Sequence, residues 1–427
     1  MDLLLSSFKD IAGSLGTMGI VFSYTWYFIL PPLFYAVFRP LWIEQVRDRE
    51  YMSSLKKILL ELIPPQNLEK SPKIMESFFN VIHGVLTTIP KGDYYMKGKV
   101  IERFSLELVG DSGEIHFYIQ CPDFDRGMVE AALYAQYPDI QIVEADDYVK
   151  RVPLILPNKK WEVWGADAKL AGPEPMPIKT YDRFQEDVTG KMIDPLSSVL
   201  EVLSQLGPNQ KVWWQVLITP EKEGWEHDEG TKMINELTKR DSKPGGVLER
   251  LWTDITDVFG NLSKAISGPV EFKSAEEEKE ETPLEFRLTP GEKEKLKALE
   301  ENMTKNIFLT KMRFVYVGKR ENYDKPGVVG GFWGSMKQFS DQYSNGIAIH
   351  DDTKTYAWYF MIKSRLRYRQ RKLIKRYIDR DPTGNNCYLS TSELATIFHM
   401  PDMSVMTPSL RRVEAKLGGA PANLPVK

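Results

Sequence analysis

The spacing of apolar and polar residues changes along the chain, and these changes predict its first elements. Residues 71–85, SPKIMESFFNVIHGV, carry apolar positions at helical spacing, whereas KVIERFSLELVG and EIHFYIQCP alternate every second residue around the turn 110–113. FDRGMVEAALYAQYP predicts a helix that ends at Pro138, and DIQIVEADDYV predicts a returning strand. Helix, hairpin, helix and strand are most of a split βαβ, ferredoxin-like unit, which we assign to residues 51–150.

The same order of elements returns in residues 194–345. DPLSSVLEVLSQLG predicts a helix, and KVWWQVLITP predicts a strand that ends at Pro220, as EIHFYIQCP ends at Pro122. TPGEKEKLKALEENMTK begins with a capping box at Thr289, and NIFLTKMRFVYVG and GFWGSMKQFSDQY follow as a strand and a helix. We therefore predict a second ferredoxin-like unit, joined to the first by a linker over residues 151–193.

A long insertion interrupts this second unit at about residues 221–284. It contains VLERLWTDITDVFGNLSKAI, whose apolar residues form one stripe from Val247 to Ile266 at helical spacing. A helix with such a stripe buries it against its own domain, a partner or a membrane surface. The following SAEEEKEET is typical of a solvated loop. Residues 346–427 are predicted to form a basic helix and a C-terminal connector.

An uncharged run near the N-terminus predicts a membrane span. No charged residue occurs from Ile11 to Phe38, and a helix of that length can cross a hydrocarbon core of roughly 30 Å. A cleaved signal peptide is the alternative, but this run is longer than the roughly 7 to 15 apolar residues of such a peptide. Basic residues follow the run more closely than they precede it, which predicts a cytoplasmic C-terminal bulk. The expectation is a single-pass protein of the cytoplasmic membrane, anchored by residues 1–50.

The complete prediction for the fold is thus α+β. One N-terminal transmembrane helix precedes two ferredoxin-like (split βαβ) units and a helical C-terminal segment. The composition agrees with a chain that folds largely in water, because 42% of its 427 residues are hydrophobic and 27% are charged. The net charge of −3 excludes a globally basic nucleic-acid binder but leaves room for local patches. Two distant cysteines indicate a reducing compartment without a disulfide framework.

The sequence contains no recognisable catalytic motif. A phosphate-binding loop of the Walker A type needs G-x-x-x-x-G-K-[ST], and this string is absent. The glycine-rich GVVGGFWGSMK from Gly327 is better explained as a loop and helix, because its lysine does not follow a glycine. The five histidines are scattered, without the spacing of a metal site. We therefore predict a non-enzymatic protein without catalytic residues, metal or cofactor.

One basic stretch, KSRLRYRQRKLIKRY, is the candidate binding site. Its basic residues are Lys363, Arg365, Arg367, Arg369, Arg371, Lys372, Lys375 and Arg376. They are predicted to lie on a helix whose apolar line docks inward, and that line consists of Trp358, Ile362, Leu366, Leu373 and Tyr377. The outward face could contact phosphates of DNA or lipid. The alternative is a solvated helix with local acidic partners such as Asp379 and Asp381.

The C-terminal stretch STSELATIFHMPDMSVMTPSLRRVEAKL offers a second nucleic-acid hypothesis. Ser390 and Glu393 predict a capping box, and two short helices over residues 390–416 could form a helix-turn-helix. Pro408 falls near the start of the would-be recognition helix, and that helix would offer few basic contacts. These features argue against DNA reading by this segment.

Several stretches together resemble a known family. EIHFYIQCP with YAQYPDIQIVEADDYV, PMPIKTY, DPLSSVLEVLSQLG, FWGSMKQFSDQYSNG, LSTSELATIFHMP and TPSLRRVEAKLGGAPANLP are similar, in that order, to the N-terminal accessory region of bacterial type IV secretion and conjugation ATPases of the HerA/FtsK class. The resemblance covers nearly the whole chain after the uncharged run. It implies that the last stretch leads into a motor domain, so the motor is expected on a separate polypeptide or in a longer chain.

Two functions from different classes follow as expectations. The first is a non-enzymatic, membrane-anchored scaffold that docks a HerA-type ATPase motor or forms its accessory part. The alternative is a nucleic-acid-binding membrane protein that uses the basic helix 363–376 or the helix-turn-helix. The expected partners are membrane lipid and the separate or fused motor, with DNA and a second copy of this chain as further candidates.

Overall fold

A computed structural model describes residues 26–28, 30–47, 51–153, 155–184, 193–222, 229–238, 288–403, 405 and 410–412. The chain divides into two compact units. One comprises residues 1–57 and 87–101, and the other comprises residues 58–86 and 102–427.

Within the described residues the helices are α1 (30–46), α2 (Met52–Ser54), α3 (Lys73–His83), α4 (Lys91–Met96), α5 (Arg126–Gln136), α6 (Ser197–Ser204), α7 (Thr231–Thr238), α8 (Pro290–Met303), α9 (Lys325–Met336), α10 (Ile362–Ile378) and α11 (Thr391–Ile397). The strands are β1 (Lys57–Ile63), β2 (Phe104–Asp111), β3 (Glu114–Pro122), β4 (Gln141–Glu144), β5 (Trp161–Leu170), β6 (Gln210–Pro220), β7 (Ile307–Lys319), β8 (Ile347–Ile349) and β9 (Cys387–Ser390).

The smaller unit contains α1, which corrects the prediction of a membrane anchor. α1 continues past the end of the uncharged run and includes Arg39 and Glu44. The Arg39 guanidinium donates to the Tyr95 hydroxyl, and Trp42 Nε1 donates to the Tyr95 carbonyl at 3.1 Å. Among the described helices, none has both the length and the apolar character that a bilayer crossing requires. The predicted transmembrane helix and the single-pass membrane localisation are therefore wrong; residues 11–25 and 29 of that run lie outside the described part.

The larger unit is built on one antiparallel sheet of nine described strands. The strand order is β4-β1-β3-β2-β6-β7-β5-β8, and β9 pairs with β7 beyond this path. The first half, β1-α3-β2-β3-α5-β4, has the element order and strand order of a split βαβ unit. The second half, β5-α6-β6-β7-α9-β8, arranges its four strands in the same relative order. The two halves join where β2 pairs antiparallel with β6, from Phe104 opposite Ile218 to Asp111 opposite Lys211.

This sheet changes one boundary of the predicted units and one correspondence between their strands. The residues assigned to the linker 151–193 contain β5, which is the first strand of the second half. β6 occupies the place of β2 rather than that of β3, although β3 and β6 both end in a proline, Pro122 and Pro220. Proline ends a strand by removing a backbone donor, whatever position that strand has in a sheet. The apolar stripe 247–266 of the insertion lies outside the described residues. Of the predicted insertion 221–284, the structure describes residues 221–222 and 229–238, and these include α7.

Side chains on the two faces of the sheet alternate and bury different groups. On one face Leu106, Trp214 and Phe314 pack against helices α3, α5, α6, α9 and α11 in a continuous apolar core. On the other face Val109, Trp213 and Val315 form a smaller core that α10 covers. The period of two in the strand sequences produces this division, because successive strand residues point to opposite faces.

The C-terminal segment is part of the first core rather than a DNA-reading motif. β9 pairs with β7 from Ser390 opposite Ile307, and every residue of α11 is buried. The predicted capping box is confirmed, since the side chains of Ser390 and Glu393 each bond the other's backbone amide; so is the one at Thr289. A helix buried on all sides cannot approach a DNA groove. The helix-turn-helix is therefore unsupported by α11, and Pro408 and residues 413–416 lie outside the described chain.

Candidate functional site: the basic helix and its groove

α10 contacts the sheet with its C-terminal half. Leu373, Ile374 and Tyr377 are buried in the smaller core, and the Tyr377 ring stacks on Trp213 with 5.2 Å between ring centroids. One turn earlier, the Gln370 amide donates to the Val163 carbonyl of β5 at 2.7 Å.

The N-terminal part of the predicted apolar line does not dock. Trp358 and Ile362 are 71% and 47% exposed, and Leu366 is half-buried. The prediction that the whole line packs inward is therefore wrong for its first two residues. The sheet lies beneath only the second half of the helix. The chain contacts β5 at Thr355, and the residues that follow up to Ile362 have no described strand beneath them.

A row of buried polar side chains crosses the sheet beneath α10. Glu107 of β2, Gln215 of β6, Arg313 of β7 and Asp167 of β5 stand directly opposite one another in adjacent strands, and we call them the polar ladder. Gln215 donates to Glu107 Oε1 at 3.0 Å, and Arg313 donates to Gln215 Oε1 at 3.2 Å and to Asp167 Oδ1 at 2.9 Å. All four are at most 1% exposed, so the three charged side chains and the Gln215 amide depend on these partners for stabilisation.

The polar ladder also holds the C-terminal end of α10. Arg313 donates to the Arg376 carbonyl at 2.8 Å and to the Asp381 carbonyl at 3.0 Å, and Gln215 donates to the Tyr377 carbonyl at 3.3 Å. The last carbonyls of a helix have no partner within the helix, and cations near them are favourable. The ladder therefore donates to the carbonyls of Arg376 and Tyr377 in the last turn of α10 and to that of Asp381, three residues beyond the helix.

Arg380 makes a second attachment just after the helix. Its backbone is left-handed, with φ 49°, a conformation that costs free energy for a residue with a Cβ. Its guanidinium donates to Glu107 Oε1 at 2.9 Å and to Asp147 Oδ2 at 2.7 Å. Burial acts to lower the pKa of Arg380, but the carboxylates of Glu107 and Asp147 outweigh it and raise that pKa. These two ion pairs compensate the backbone strain.

Lys311 completes the buried charges at the Asp167 end of the ladder. Its Nζ lies 2.7 Å from Asp167 Oδ2 and donates to the Asn385 carbonyl at 2.7 Å. Burial lowers the pKa of Lys311, against the opposing effect of Asp167. Each of these charges has an internal partner and little contact with solvent. We therefore assign the ladder and its attachments a structural role, which is to position α10.

The accessible chemistry lies on the other surfaces of α10. A groove of about 340 Å³ runs along one side of the helix. Its lining residues are Asp167, Asp352, Thr353, Arg365, Tyr368, Arg369, Lys372, Leu373 and Arg376. Four of these are cations, and we call Arg365, Arg369, Lys372 and Arg376 the groove row. Their spacing of four, three and four residues places them along one face of a helix, over about 16 Å.

Neighbouring groups hold the cations of the groove row in place. The Arg369 guanidinium donates to the carbonyls of Lys354 and Tyr356 at 3.2 and 2.9 Å. The Arg365 guanidinium lies 3.9 Å from the centre of the Tyr359 ring and donates to its hydroxyl at 2.8 Å. These partners are neutral groups, so they orient the two guanidinium groups without forming an ion pair with them.

Acidic groups neutralise the groove only in part. Arg376 Nε lies 3.5 Å from Asp381 Oδ2, which is the local pair that a solvated helix would use. Asp352 lies in the lining, and Asp167 is already paired with Lys311 and Arg313. The groove therefore combines four cations with few uncommitted carboxylates.

The other four predicted site residues form a separate row. Lys363, Arg367, Arg371 and Lys375 are exposed, follow one another at intervals of four, and make no ion pair with any residue that the structure describes; we call them the outer row. α10 contains no aspartate or glutamate. Like charges four residues apart in a helix repel each other by about 0.2–0.5 kcal/mol per pair. An anionic ligand would relieve this repulsion in both rows.

The sequence prediction found the basic residues but missed what positions them. Glu107, Asp167 and Arg313 are charged residues inside strands that are otherwise apolar, in FSLELVGD, WEVWGADAKL and IFLTKMRFVYVGK. A charge on a strand with two buried faces predicts an internal partner, because a lone buried charge is too costly. The identity of that partner could not be read from the pattern.

The remaining candidate chemistry has a local structural explanation. The glycine-rich stretch from Gly327 lies within α9, and the Asp324 carboxylate accepts the Gly327 amide at 3.0 Å, so an internal anion already caps that helix. Among the residues that the structure describes, no three histidine, cysteine, aspartate or glutamate side chains are grouped to hold a metal ion.

Comparison with known proteins identifies a family. The model of a family described as a domain of unknown function, DUF8128, matches residues 47–412. The match extends over most of the chain, so the chain belongs to this family. A search of curated proteins finds no match.

Proposed function

We propose that this member of the DUF8128 family is a binding protein for nucleic acid, which holds the sugar-phosphate backbone in the groove of α10. The observation that carries the proposal is the convergence of the groove row on one concave surface. Electrostatic contacts from lysine and arginine to phosphates supply most of the sequence-independent affinity of nucleic-acid-binding proteins. A linear row of cations suits a linear polyanion.

The shape of the groove favours a nucleic-acid strand over a lipid surface. Arg365, Arg369 and Arg376 are half-buried in the groove wall, whereas the cations of the outer row are exposed. A bilayer is flat on the scale of one helix and would contact the outer row first. A strand can enter the groove and reach cations that are already held in position. Such preorganisation reduces the entropy that binding costs.

The docking of a HerA-type motor stays a prediction. The resemblance places the motor after the final stretch of the chain, and residues 413–427 lie outside the described part. Of the two expected functions, nucleic-acid binding is the one that the described side chains support. The groove row could bind nucleic acid in the isolated protein and equally in a larger assembly.

A salt titration of binding tests the proposal. Fluorescence anisotropy would measure the affinity of the full chain for labelled oligonucleotides over a range of salt concentrations. Four contacts to a single strand predict a log–log slope of about −3, at ~0.7 per phosphate. The variant Arg365→Gln/Arg369→Gln/Lys372→Gln should lose most of the affinity and bring the slope close to −1, because one cation of the groove row remains.

The outer row provides a matched control. Lys363→Gln/Arg367→Gln/Arg371→Gln removes the same charge from the same helix, and it should retain more than half of the wild-type slope. Equal losses in both variants would indicate non-specific attraction and overturn the groove as the site. Binding to anionic vesicles without binding to oligonucleotides would overturn the proposal in favour of a lipid surface.

A further inference from the structure

An exposed aromatic segment precedes α10. Residues 356–361, YAWYFM, form this segment, and Trp358 and Phe360 are 71% and 79% exposed. Tyr356 and Tyr359 are also exposed, and the Trp358 and Tyr359 rings meet edge to face at 5.3 Å. Apolar side chains presented together to solvent at this density indicate a binding surface rather than a loop of ordinary composition.

The aromatic segment is continuous with the groove. Just before the aromatic segment, the Thr355 amide donates to the Gly165 carbonyl of β5 at 2.9 Å. This bond fixes the start of the segment to the sheet. The groove row contacts it directly, since Arg369 donates to the Tyr356 carbonyl and Arg365 stacks on Tyr359. Tyr368, which is exposed on α10, lies in the groove lining itself.

We propose that the aromatic segment stacks on unpaired bases, so that this surface selects single-stranded over double-stranded nucleic acid. The inference rests on the proposed function and adds the substrate class. Proteins that bind single strands combine a basic groove along the backbone with aromatic side chains on which successive bases stack. In a duplex the base faces are already stacked on one another, so the same side chains gain little there.

Three oligonucleotides separate the roles of base and phosphate. The probes are an oligothymidine, an abasic strand of equal length and charge, and a duplex. Wild type should bind the oligothymidine about a hundredfold more tightly than the abasic strand if Trp358 and Phe360 each stack on one base, given that each stacked base contributes roughly a factor of ten. Its affinity for the duplex should be close to that for the abasic strand. This comparison uses only wild-type protein, so it does not depend on a variant that folds.

Side-chain variants assign the effect to the segment. Trp358→Ala/Phe360→Ala should lose about a hundredfold in affinity for the oligothymidine and keep both the salt slope and the affinity for the abasic strand. Phe124→Ala/Tyr134→Ala is the matched control, because these exposed aromatic residues lie at α5, on the opposite face of the sheet. That variant should bind every probe as wild type does.

The outcomes separate this inference from the proposed function. Equal wild-type affinity for the three probes, with the salt slope intact, would overturn base stacking and leave phosphate binding in place. Binding to none of the oligonucleotides would overturn both. Capture by anionic vesicles that depends on Trp358 and Phe360, without oligonucleotide binding, would overturn both and identify the segment as a lipid contact.

Discussion

The two faces of the central sheet are stabilised in different ways. One face is apolar from Leu106 to Phe314 and is covered by five helices. The other carries the polar ladder and its attached charges beneath α10 and the short 3-10 helix Tyr148–Arg151. Apolar burial is strong but non-directional, so it holds the helices against the sheet without defining one position for each. Hydrogen bonds between buried charges are directional, and we infer that they determine the position of α10 and hence of the groove.

The largest effect is expected from breaking the polar ladder. Arg313→Met removes one of the two cations that contact Asp167, together with the donor to the carbonyls of Arg376 and Asp381, so the free energy of unfolding should fall by about 3–5 kcal/mol. Urea unfolding measures this. Arg320→Met removes an arginine that pairs with Glu162 at the surface and should cost at most about 1 kcal/mol. A loss at Arg313 as small as that at Arg320 would contradict the assigned role of the ladder.

A similar loss of stability is expected from removing an apolar side chain on the opposite face. Leu200 of α6 is fully buried, and Leu200→Ala should lower the free energy of unfolding by roughly 2–5 kcal/mol. Leu200→Met conserves volume and should cost less than about 1.5 kcal/mol. Hydrogen exchange sharpens the comparison, because Arg313→Met should expose the C-terminal amides of α10 selectively and Leu200→Ala should not. Selective loss of α10 protection in Leu200→Ala would contradict the division between faces.

The Arg380–Asp147 pair should make the polar face sensitive to acid. Burial acts to raise the pKa of Asp147, but the Arg380 guanidinium outweighs it and lowers that pKa from its ordinary 3.8. The stabilisation is therefore present above pH 3.8 and is lost as the pH falls through the lower, folded-state pKa. Asp147→Asn should cost about 1.5–3 kcal/mol at neutral pH, which is the contribution of hydrogen bonds to charged groups.

Urea unfolding of wild type and of Asp147→Asn, from neutral pH to about pH 3, measures the difference between their free energies of unfolding. The gap between wild type and Asp147→Asn should narrow as the pH approaches and passes the folded-state pKa. Asp139→Asn changes an exposed aspartate and should leave the free energy of unfolding unchanged across the range. A gap that widens on acidification would show that the ion pair is not the source of the stabilisation.

The smallest effect on stability is expected at the solvent side of α10. The outer-row variant Lys363→Gln/Arg367→Gln/Arg371→Gln should change the free energy of unfolding by less than about 0.5 kcal/mol, with a slight gain because repulsion between like charges is reduced. Thermal unfolding at low salt, where this repulsion is strongest, would detect the gain. A loss of more than 1 kcal/mol would mean that the outer row has buried partners.

The sequence predicted local features well. The capping boxes at Thr289 and Ser390 occur as expected, since each depends on residues three positions apart. The strands around β2, β3, β6 and β7 follow their alternating patterns. β1 and β5 were not recognised as strands. β1 is a short, nearly continuous apolar run, and periodicity alone cannot distinguish such a run from a segment of a buried helix. In β5, residues 165–168, GADA, lack the β-branched and aromatic side chains that are typical of strands.

Two wrong predictions share one cause. One is the transmembrane helix predicted from the uncharged run of residues 11–38. The other is the prediction that the whole apolar line of the basic helix packs inward. Hydropathy reports what a residue would gain from burial, and it does not report whether another element is there to bury it. Trp358 and Ile362 remain exposed for this reason, although their spacing matches that of Leu373 and Tyr377.

By itself, the sequence determined the α+β composition, the capped helix starts and the cluster of eight cations on α10, because periodicity, capping and charge are properties of neighbouring residues. Only the tertiary structure decided which strands pair, that Glu107, Gln215, Arg313 and Asp167 form one ladder, and that four of the eight cations line a groove beside an aromatic segment. Neighbouring ladder residues Glu107 and Gln215 are 108 positions apart in the chain, and Gln215 and Arg313 are 98 apart, so no local pattern encodes their contacts. Their pairing follows from strand order, which the burial of the whole chain selects.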